Sequence, residues 1–489
     1  MSKANPTYNV LDRYDPVIGL EVHCQLKTET KLFCGCSTKF GALPNHQTCP
    51  VCLGMPGVLP VLNELAVTYA VRLALAVGAR INPVSVFARK QYFYPDLPKG
   101  YQITQYDLPY CEEGGIKLSS GRTVGLTRIH MEEDAGKNVH GDEASYVDVN
   151  RAGIPLLEVV TKPEVKSPED AADYLRRLRS LVRHLDICDG NLEEGSFRCD
   201  ANVSIMPRGS KTLGTRCEIK NLNSFRNIER AIEYEILRQA EVLDGGGKIR
   251  QMTLQFDAAS GKTSPMRTKE ESHDYRYFPD PDLLPLRLDA QRIELVRQAL
   301  PELPEAMATR FKAEYGLPDL DAAQLTSDKD LAHYFETTVK KVAGAVPHKI
   351  VANWTLSELL REVNERGWSL TTMPITADHM AELLTLIGKD VISGKIAKTV
   401  FEEMVEKGGK PKEIVDRLGL VQVSDEGAIT ALVAKVIDAN PGPLADYLGG
   451  RDKLFGFFVG QVMKESGGKM NPGLVNKILQ AQLDARKKS

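Results

Sequence analysis

The chain contains no run of about eighteen apolar residues, the length a membrane-spanning helix requires, so no membrane association is expected. Its first fifteen residues are polar, with Pro6 inside them and Pro16 just after, and carry no charged-then-apolar leader, which makes the cytoplasm the expected compartment. Positive charge is not in excess either. A net charge of −3 excludes a generally basic, non-specific nucleic-acid binder while leaving room for a local basic surface. A phosphate-cradling Walker A loop is missing, because Gly261-Lys262-Thr263 has Phe256 where the upstream glycine would stand. There is no GxSxG elbow and no nucleophile constellation. Nine cysteines, an odd number in a chain of 489 residues without a leader, do not suggest a disulfide framework. Any nucleotide must therefore be held through metal and carboxylates, with Arg or Lys as charge partners.

What the chain does have is a repeated face. At period two, residues 127–134 (TRIHMEED) place Ile129 and Met131 on one side and Arg128, His130, Glu132 and Asp134 on the other. Residues 18–27 set Glu21, His23, Gln25 and Lys27 against Ile18, Leu20, Val22, Cys24 and Leu26. Residues 197–205 do the same with Arg198, Asp200, Asn202 and Ser204, residues 215–220 with Arg216, Glu218 and Lys220, and residues 146–150 with Asp148 and Asn150. Glu158 adds a carboxylate to an otherwise apolar strand, where leaving it unpaired would be costly. An antiparallel sheet with one wet side is the ordinary explanation of any one such strand. Asp and Asn are depleted from strands, however, so their repeated placement points to a site that uses them. Cations would relieve the repulsion, and a mostly oxygen ligand set favours Mg²⁺ beside a nucleotide phosphate. Cys24, Cys199 and Cys217 fall on the apolar side and read as inert core thiols.

Cys34 and Cys36, then Cys49 and Cys52 after a short loop, can supply four thiolates to one structural Zn²⁺; the alternative is four unliganded thiols. A helix over residues 63–78, capped by Asn63, is expected to cover the apolar side of the sheet. Residues 89–109 interleave Arg89, Lys90 and Lys99 with Tyr92, Phe93, Tyr94, Tyr101 and Tyr106, a mixture that suits a nucleotide or a single-stranded RNA end. A hairpin packing its rings on the sheet is equally open. Further helices are expected over residues 167–185 and 227–243. From about residue 289 the chain turns helical, and a loose stretch at 406–412 precedes a last module whose helices begin at Ser424, Asp452 and Pro472. From Arg451 onward eight Lys or Arg face three Asp or Glu, so Lys464, Lys469 and Lys477 are candidates for gripping RNA backbone, against the alternative of a solvated face.

Five longer motifs carry a resemblance. They are residues 19–25 (GLEVHCQ), 49–57 (CPVCLGMPG), 92–102 (YFYPDLPKGYQ), 131–137 (MEEDAGK) and 274–279 (DYRYFP). Over essentially the whole chain the sequence resembles the B-subunit family of aspartyl/glutamyl-tRNA(Asn/Gln) amidotransferases. The resemblance implies an α+β chain. An antiparallel-sheet cradle related to the glutamine synthetase fold, with the Mg²⁺/ATP site and the zinc loop, would occupy residues 1–290, an all-α domain 291–405, and a small YqeY-like helical tail, binding tRNA, 410–489. It also implies that Glu21, His23, Glu132, Glu133 and Glu218 belong to the site; Glu158, Asp200, Asn202 and Lys220 join them by face and residue type. Glu133 stands on the wrong face of an ideal strand, so either a bulge re-aims it or it is not a ligand. The implied reaction is ATP-dependent phosphorylation and amidation of the side-chain carboxyl of misacylated Glu-tRNA(Gln), Asp-tRNA(Asn) or both. Ammonia would come from an amidase, the A subunit of a heterotrimer completed by a small C subunit, with a non-discriminating aminoacyl-tRNA synthetase as a further partner. A magnesium-dependent small-molecule ligase of the glutamine synthetase type and a non-catalytic tRNA-binding adaptor are the alternatives.

Overall fold

A computed structural model describes residues 10–141, 143–266, 275–421, 425–467 and 469–488. The expected helix start at Ser424, and Asp274 of the 274–279 motif, lie outside them. The chain divides into two compact units, Met1–Pro304 and Glu305–Ser489.

The first unit is built on a sheet that has thirteen strands among the described residues. Ten form its main path: β1 (Tyr14–Gln25), β2 (Phe87–Gln91), β3 (Tyr101–Gln105), β4 (Thr123–Glu133), β5 (Pro155–Thr161), β6 (Phe197–Pro207), β7 (Cys217–Leu222), β8 (Thr253–Asp257), β9 (Lys262–Pro265) and β10 (Phe278–Pro279). Their order across the sheet is β9-β8-β7-β6-β1-β5-β4-β3-β2-β10, which puts the N-terminal strand in the middle. Register explains why the alternation is so regular. Ile129, Val159, Val22 and Cys199 stand opposite one another across β4, β5, β1 and β6, and all four are buried. One residue along, the same four strands align His130, Glu158, His23 and Arg198. Because side chains alternate, the first row faces the core and the second faces away from it.

Three helices close the apolar side. α1 (Glu64–Ala76) is capped by the Asn63 side chain, which accepts from the amides of Leu65 and Ala66; α2 (Pro168–His184) is capped by Ser167, with proline in its first turn. α3 (Phe225–Asp244) starts two residues before the patterned stretch because Ser224 accepts from the Asn227 amide. Ala70 and Val71 of α1, Tyr174 and Leu178 of α2, and Ile228 and Ile232 of α3 share one core with Leu20, Val22, Met131 and Ala201 of the sheet.

Two features depart from the alternation reading. β7 and β8 run parallel, so the sheet is mixed rather than wholly antiparallel. Residues 145–148 pair with Lys137–His140 in a separate two-stranded sheet instead of extending the main one. Period-two patterning reveals which way a side chain points but not which strand its own strand will meet.

The second unit is helical, as expected, and contains two apolar cores. Phe311, Phe335, Leu359, Leu384 and Phe401 build one, to which Ile414 and Val415 also belong. Ile429, Val433, Val436 and Ile437, on the Glu426–Ala439 helix that Asp425 caps, pack with Phe458, Val475 and Leu479 in the other.

Candidate functional site

Across the polar face, two imidazoles and two carboxylates interlock. His23 Nε2 lies 3.6 Å from Glu132 Oε1 and 3.5 Å from Glu158 Oε2, while His130 Nε2 lies 3.2 Å from Glu158 Oε2 and 3.8 Å from Glu132 Oε2. Thr104 of β3 donates its hydroxyl to Glu132 Oε2 at 3.2 Å, and Arg128 donates Nε to His130 Nδ1 at 3.4 Å. One ligand atom from each of His23, Glu132 and Glu158 lies within 4.8 Å of the other two, the spacing of a group able to hold a metal ion. Burial works against a charge on either ring, but the flanking carboxylates outweigh it: His23 is raised, and Glu158 and Glu132 push His130 up to about 9. Burial alone would raise Glu158, and the two imidazoles reverse that, holding it well below the usual carboxylate range. An imidazolium could not accept from Arg128, so that hydrogen bond belongs to the neutral ring with its proton on Nε2, and protonating the ring gives it up. Lys90 is held as a cation by the same group. Burial opposes its charge, while Glu132 raises it, and its ammonium lies 4.9 Å from the Tyr275 ring centre and 5.9 Å from that of Tyr92.

The face continues along β6 and β7. Lys220 Nζ bridges Asp200 at 2.6 Å and Glu218 at 2.9 Å, and Glu218 also accepts from Thr253 at 2.9 Å. Asn202 donates to Glu21 at 3.3 Å. Burial raises the Glu21 carboxyl, and Glu158, Glu218 and Asp200 add to the rise, as expected where carboxylates converge without enough cations. Thus Glu21, His23, Glu132, Glu158, Asp200, Asn202, Glu218 and Lys220 share one face. Glu133 does not. The β4–β5 register runs unbroken from Glu133 to Val160, so Glu133 keeps to the side of Met131, pairs with Lys99 and accepts from the Ile103 amide at 2.9 Å.

Arg89 is engaged elsewhere, bonded to Asp280 at 2.8 Å and Asp282 at 3.0 Å beneath the Tyr101 ring. Of the three cations picked out in residues 89–109, Lys90 alone meets the cluster. In the second unit Lys464 and Lys477 are exposed and Lys469 is half-buried. Sequence reasoning left His130 without a role although it stands on the same face two residues from Glu132. Arg198 had the same signal: with Gln25 at 2.7 Å it grips Asp134, at 3.0 Å. Thr104 carried no signal, because only the β3–β4 pairing brings it to Glu132.

A second cluster lies in the loop after β1. The sulfurs of Cys34, Cys36, Cys49 and Cys52 all fall within 4.8 Å of one another, and those of Cys49 and Cys52 are 3.9 Å apart. Metal–sulfur bonds of about 2.3 Å in a tetrahedron would separate the sulfurs by about 3.8 Å, so the four residues fit such a centre. The Cys49 amide donates to Cys52 Sγ at 3.2 Å, and Lys31, only 1% exposed, sets Nζ 3.7 Å from the same sulfur. The hydrogen bond with Cys34, helped by the Cys49 amide and Lys31, pushes Cys52 down to about 4. Gly153, at φ +87°, joins this loop to the end of β4: a Cβ there would come within 3.4 Å of Lys31, 3.5 Å of Cys52 and 3.7 Å of Glu133.

Among the described residues no helix is long and apolar enough to cross a membrane. Family models for the GatB/GatE catalytic domain and for the GatB domain match residues 16–294 and 333–483. The chain is 54% identical over 476 residues to the B subunit of an aspartyl/glutamyl-tRNA(Asn/Gln) amidotransferase from Solidesulfovibrio magneticus, covering 96% of this chain and 99% of that protein. It is 56% identical over 479 residues to a protein of the same description from Geobacter sp. strain M21, with the same coverage. The corresponding protein of Geotalea uraniireducens is 56% identical over 480 residues, covering 96% of this chain and all of that one. The chain belongs to the GatB/GatE family of amidotransferase B subunits.

Proposed function

We propose that this chain is the B subunit of a glutamine-hydrolysing, tRNA-dependent amidotransferase, acting in the cytoplasm alongside amidase (A) and small (C) partner subunits. The observation that carries the reading is the carboxylate and imidazole face at the centre of a sheet belonging to this family. A free carboxylate resists attack by ammonia. The γ-phosphoryl group of ATP is therefore transferred to the side-chain carboxylate of the misacylated tRNA, breaking the bond to ADP and forming an acyl phosphate. Ammonia from the amidase partner then attacks the acyl carbon, loses a proton and expels phosphate, leaving the amide.

Positioning and electrostatics are the main work of such a transfer. Three protein donors, mostly oxygen, fit Mg²⁺, which keeps several waters and accepts a substrate phosphate. His23, Glu132 and Glu158 would hold it, with Glu21, Asp200, Asn202 and Glu218 continuing the same face. Mg²⁺ bound there supplies neutralisation of phosphate charge. Lys220, pinned by Asp200 and Glu218, and Lys90, pinned by aromatic rings, place ammonium groups beside the face. The four-cysteine centre suits structural zinc.

We assign residues 1–290 to a cradle and 291–405 to a helical domain, whose core also takes in Ile414 and Val415, and place in residues 410–489 a tail that binds tRNA, with Lys464, Lys469 and Lys477 meeting phosphates. Deleting residues 424–489 should weaken tRNA binding measured by filter retention and flatten its salt dependence, because fewer counterions are released. An unchanged affinity and salt slope would remove the tail from the tRNA site. For the function itself, the assembled complex should cleave ATP only when misacylated tRNA is present. Cleavage with free glutamate would indicate the small-molecule ligase, and absence of cleavage under all conditions the adaptor.

A further inference from the structure

His130 has no assigned part in the reaction, yet the carboxylates of the face meet around it. Glu132 divides its two oxygens: Oε1 is turned to His23, and Oε2 to His130 at 3.8 Å and to the Thr104 hydroxyl at 3.2 Å. Glu158 presents Oε2 to both rings, at 3.2 Å from His130 and 3.5 Å from His23. The His130 side chain is 5% exposed, whereas that of His23 is 20% exposed, so His23 is the ring nearer to solvent and incoming phosphate. On the far side of the His130 ring, Nδ1 accepts from Arg128 Nε at 3.4 Å. That contact directs a proton to Nε2, the nitrogen facing the carboxylates, and an imidazolium carries a proton there as well.

We propose that His130 is a positioning residue: with its Nε2 3.2 Å from Glu158 Oε2, and with Thr104 holding Glu132 Oε2, it fixes the two carboxylates so that Glu132 Oε1 and Glu158 Oε2 stay directed at His23, where a divalent cation would be held. A carboxylate free to rotate about its last bond would offer the cation many geometries, and Mg²⁺ accepts few. Groups that orient ligands in this way typically contribute about 10- to 100-fold to metal affinity. His130 itself stays off the metal. This inference rests on the assignment of the cation to His23, Glu132 and Glu158.

The test uses the full chain with Mn²⁺ as the probe, its free concentration read by electron paramagnetic resonance without ATP or tRNA. His130→Ala should weaken Mn²⁺ binding about 10- to 100-fold. His130→Gln, whose amide can place an N–H near the Nε2 position, should restore most of the affinity. In the assembled complex the Mg²⁺ concentration giving half-maximal tRNA-dependent ATP cleavage should rise in His130→Ala, with kcat recovered at high Mg²⁺ and tRNA affinity unchanged. Thr104→Val, which keeps its shape in the strand, should lower Mn²⁺ affinity in the same direction and covers the case in which His130→Ala does not fold. Glu132→Gln is the control. If Glu132→Gln loses Mn²⁺ while His130→Ala and Thr104→Val bind it as the parent does, the positioning role is wrong and the site stands. If Glu132→Gln also binds normally, the site assignment itself is wrong.

Discussion

Glu132→Gln should reduce tRNA-dependent ATP cleavage and amide formation by at least about 100-fold, since the proposed cation site would lose a ligand's charge rather than a group that orients a ligand. The substitution preserves shape and removes one unit of negative charge from a residue almost wholly buried between His23, His130 and Thr104. Glu218→Gln should act in the same sense, because it takes away one of the two carboxylates pinning Lys220. Affinity for tRNA should change little in either variant. Basal glutamine hydrolysis should persist, because the proposed function leaves that chemistry to an amidase partner. Labelled ATP and labelled misacylated tRNA followed in one reaction would separate activation from amidation. Normal activation in Glu132→Gln would remove the carboxylate face from the chemistry, whereas loss of glutaminase alone would move it to an interface with the amidase.

The second large effect concerns the four cysteines. Elemental analysis should find one equivalent of zinc, and replacing Cys49 and Cys52 together by Ser should abolish it. Structural zinc contributes directly to folding, so the thermal midpoint should fall on the order of 5–10 °C. The damage should spread beyond the loop. Gly153 packs the cysteine loop and Lys31 against Glu133, so amides at the end of β4 should exchange faster in the double variant. A zinc-free protein with the parent's melting point and exchange pattern would mean that the thiols are not a metal centre.

The face itself was legible because alternation is a local property. Glu21 and His23, Glu132, Asp200 and Asn202, and Glu218 and Lys220 could each be assigned a side from their own strand alone, and the structure puts them together on it. Whether a basic residue on such a strand is free or paired was not legible. Arg89 and Lys99 read as available cations until Asp280, Asp282 and Glu133 are seen beside them, partners that lie 34 to 193 residues away in sequence. His130 shows a different limit. Its side of the strand was plain, but its place opposite Glu158 depends on cross-strand register, which no periodicity encodes. The separate pairing of residues 145–148 with 137–140 is hidden from periodicity for the same reason.

The central place of β1 has a consequence for how the chain is made. Its two neighbours, β5 and β6, are Pro155–Thr161 and Phe197–Pro207, so β1 on leaving the ribosome meets neither native neighbour until residues 26–154 have followed it. At translation speeds of about 5–20 residues per second, that interval is on the order of ten seconds. Throughout it Ile18, Leu20, Val22 and Cys24 form an unsatisfied apolar edge, a segment of the kind that seeds aggregation. Glu21 and His23 stand between those residues, where they interrupt the apolar run with polar groups. The alternation that gives the sheet its polar face thus also keeps these four apolar residues from forming a continuous run on the nascent strand.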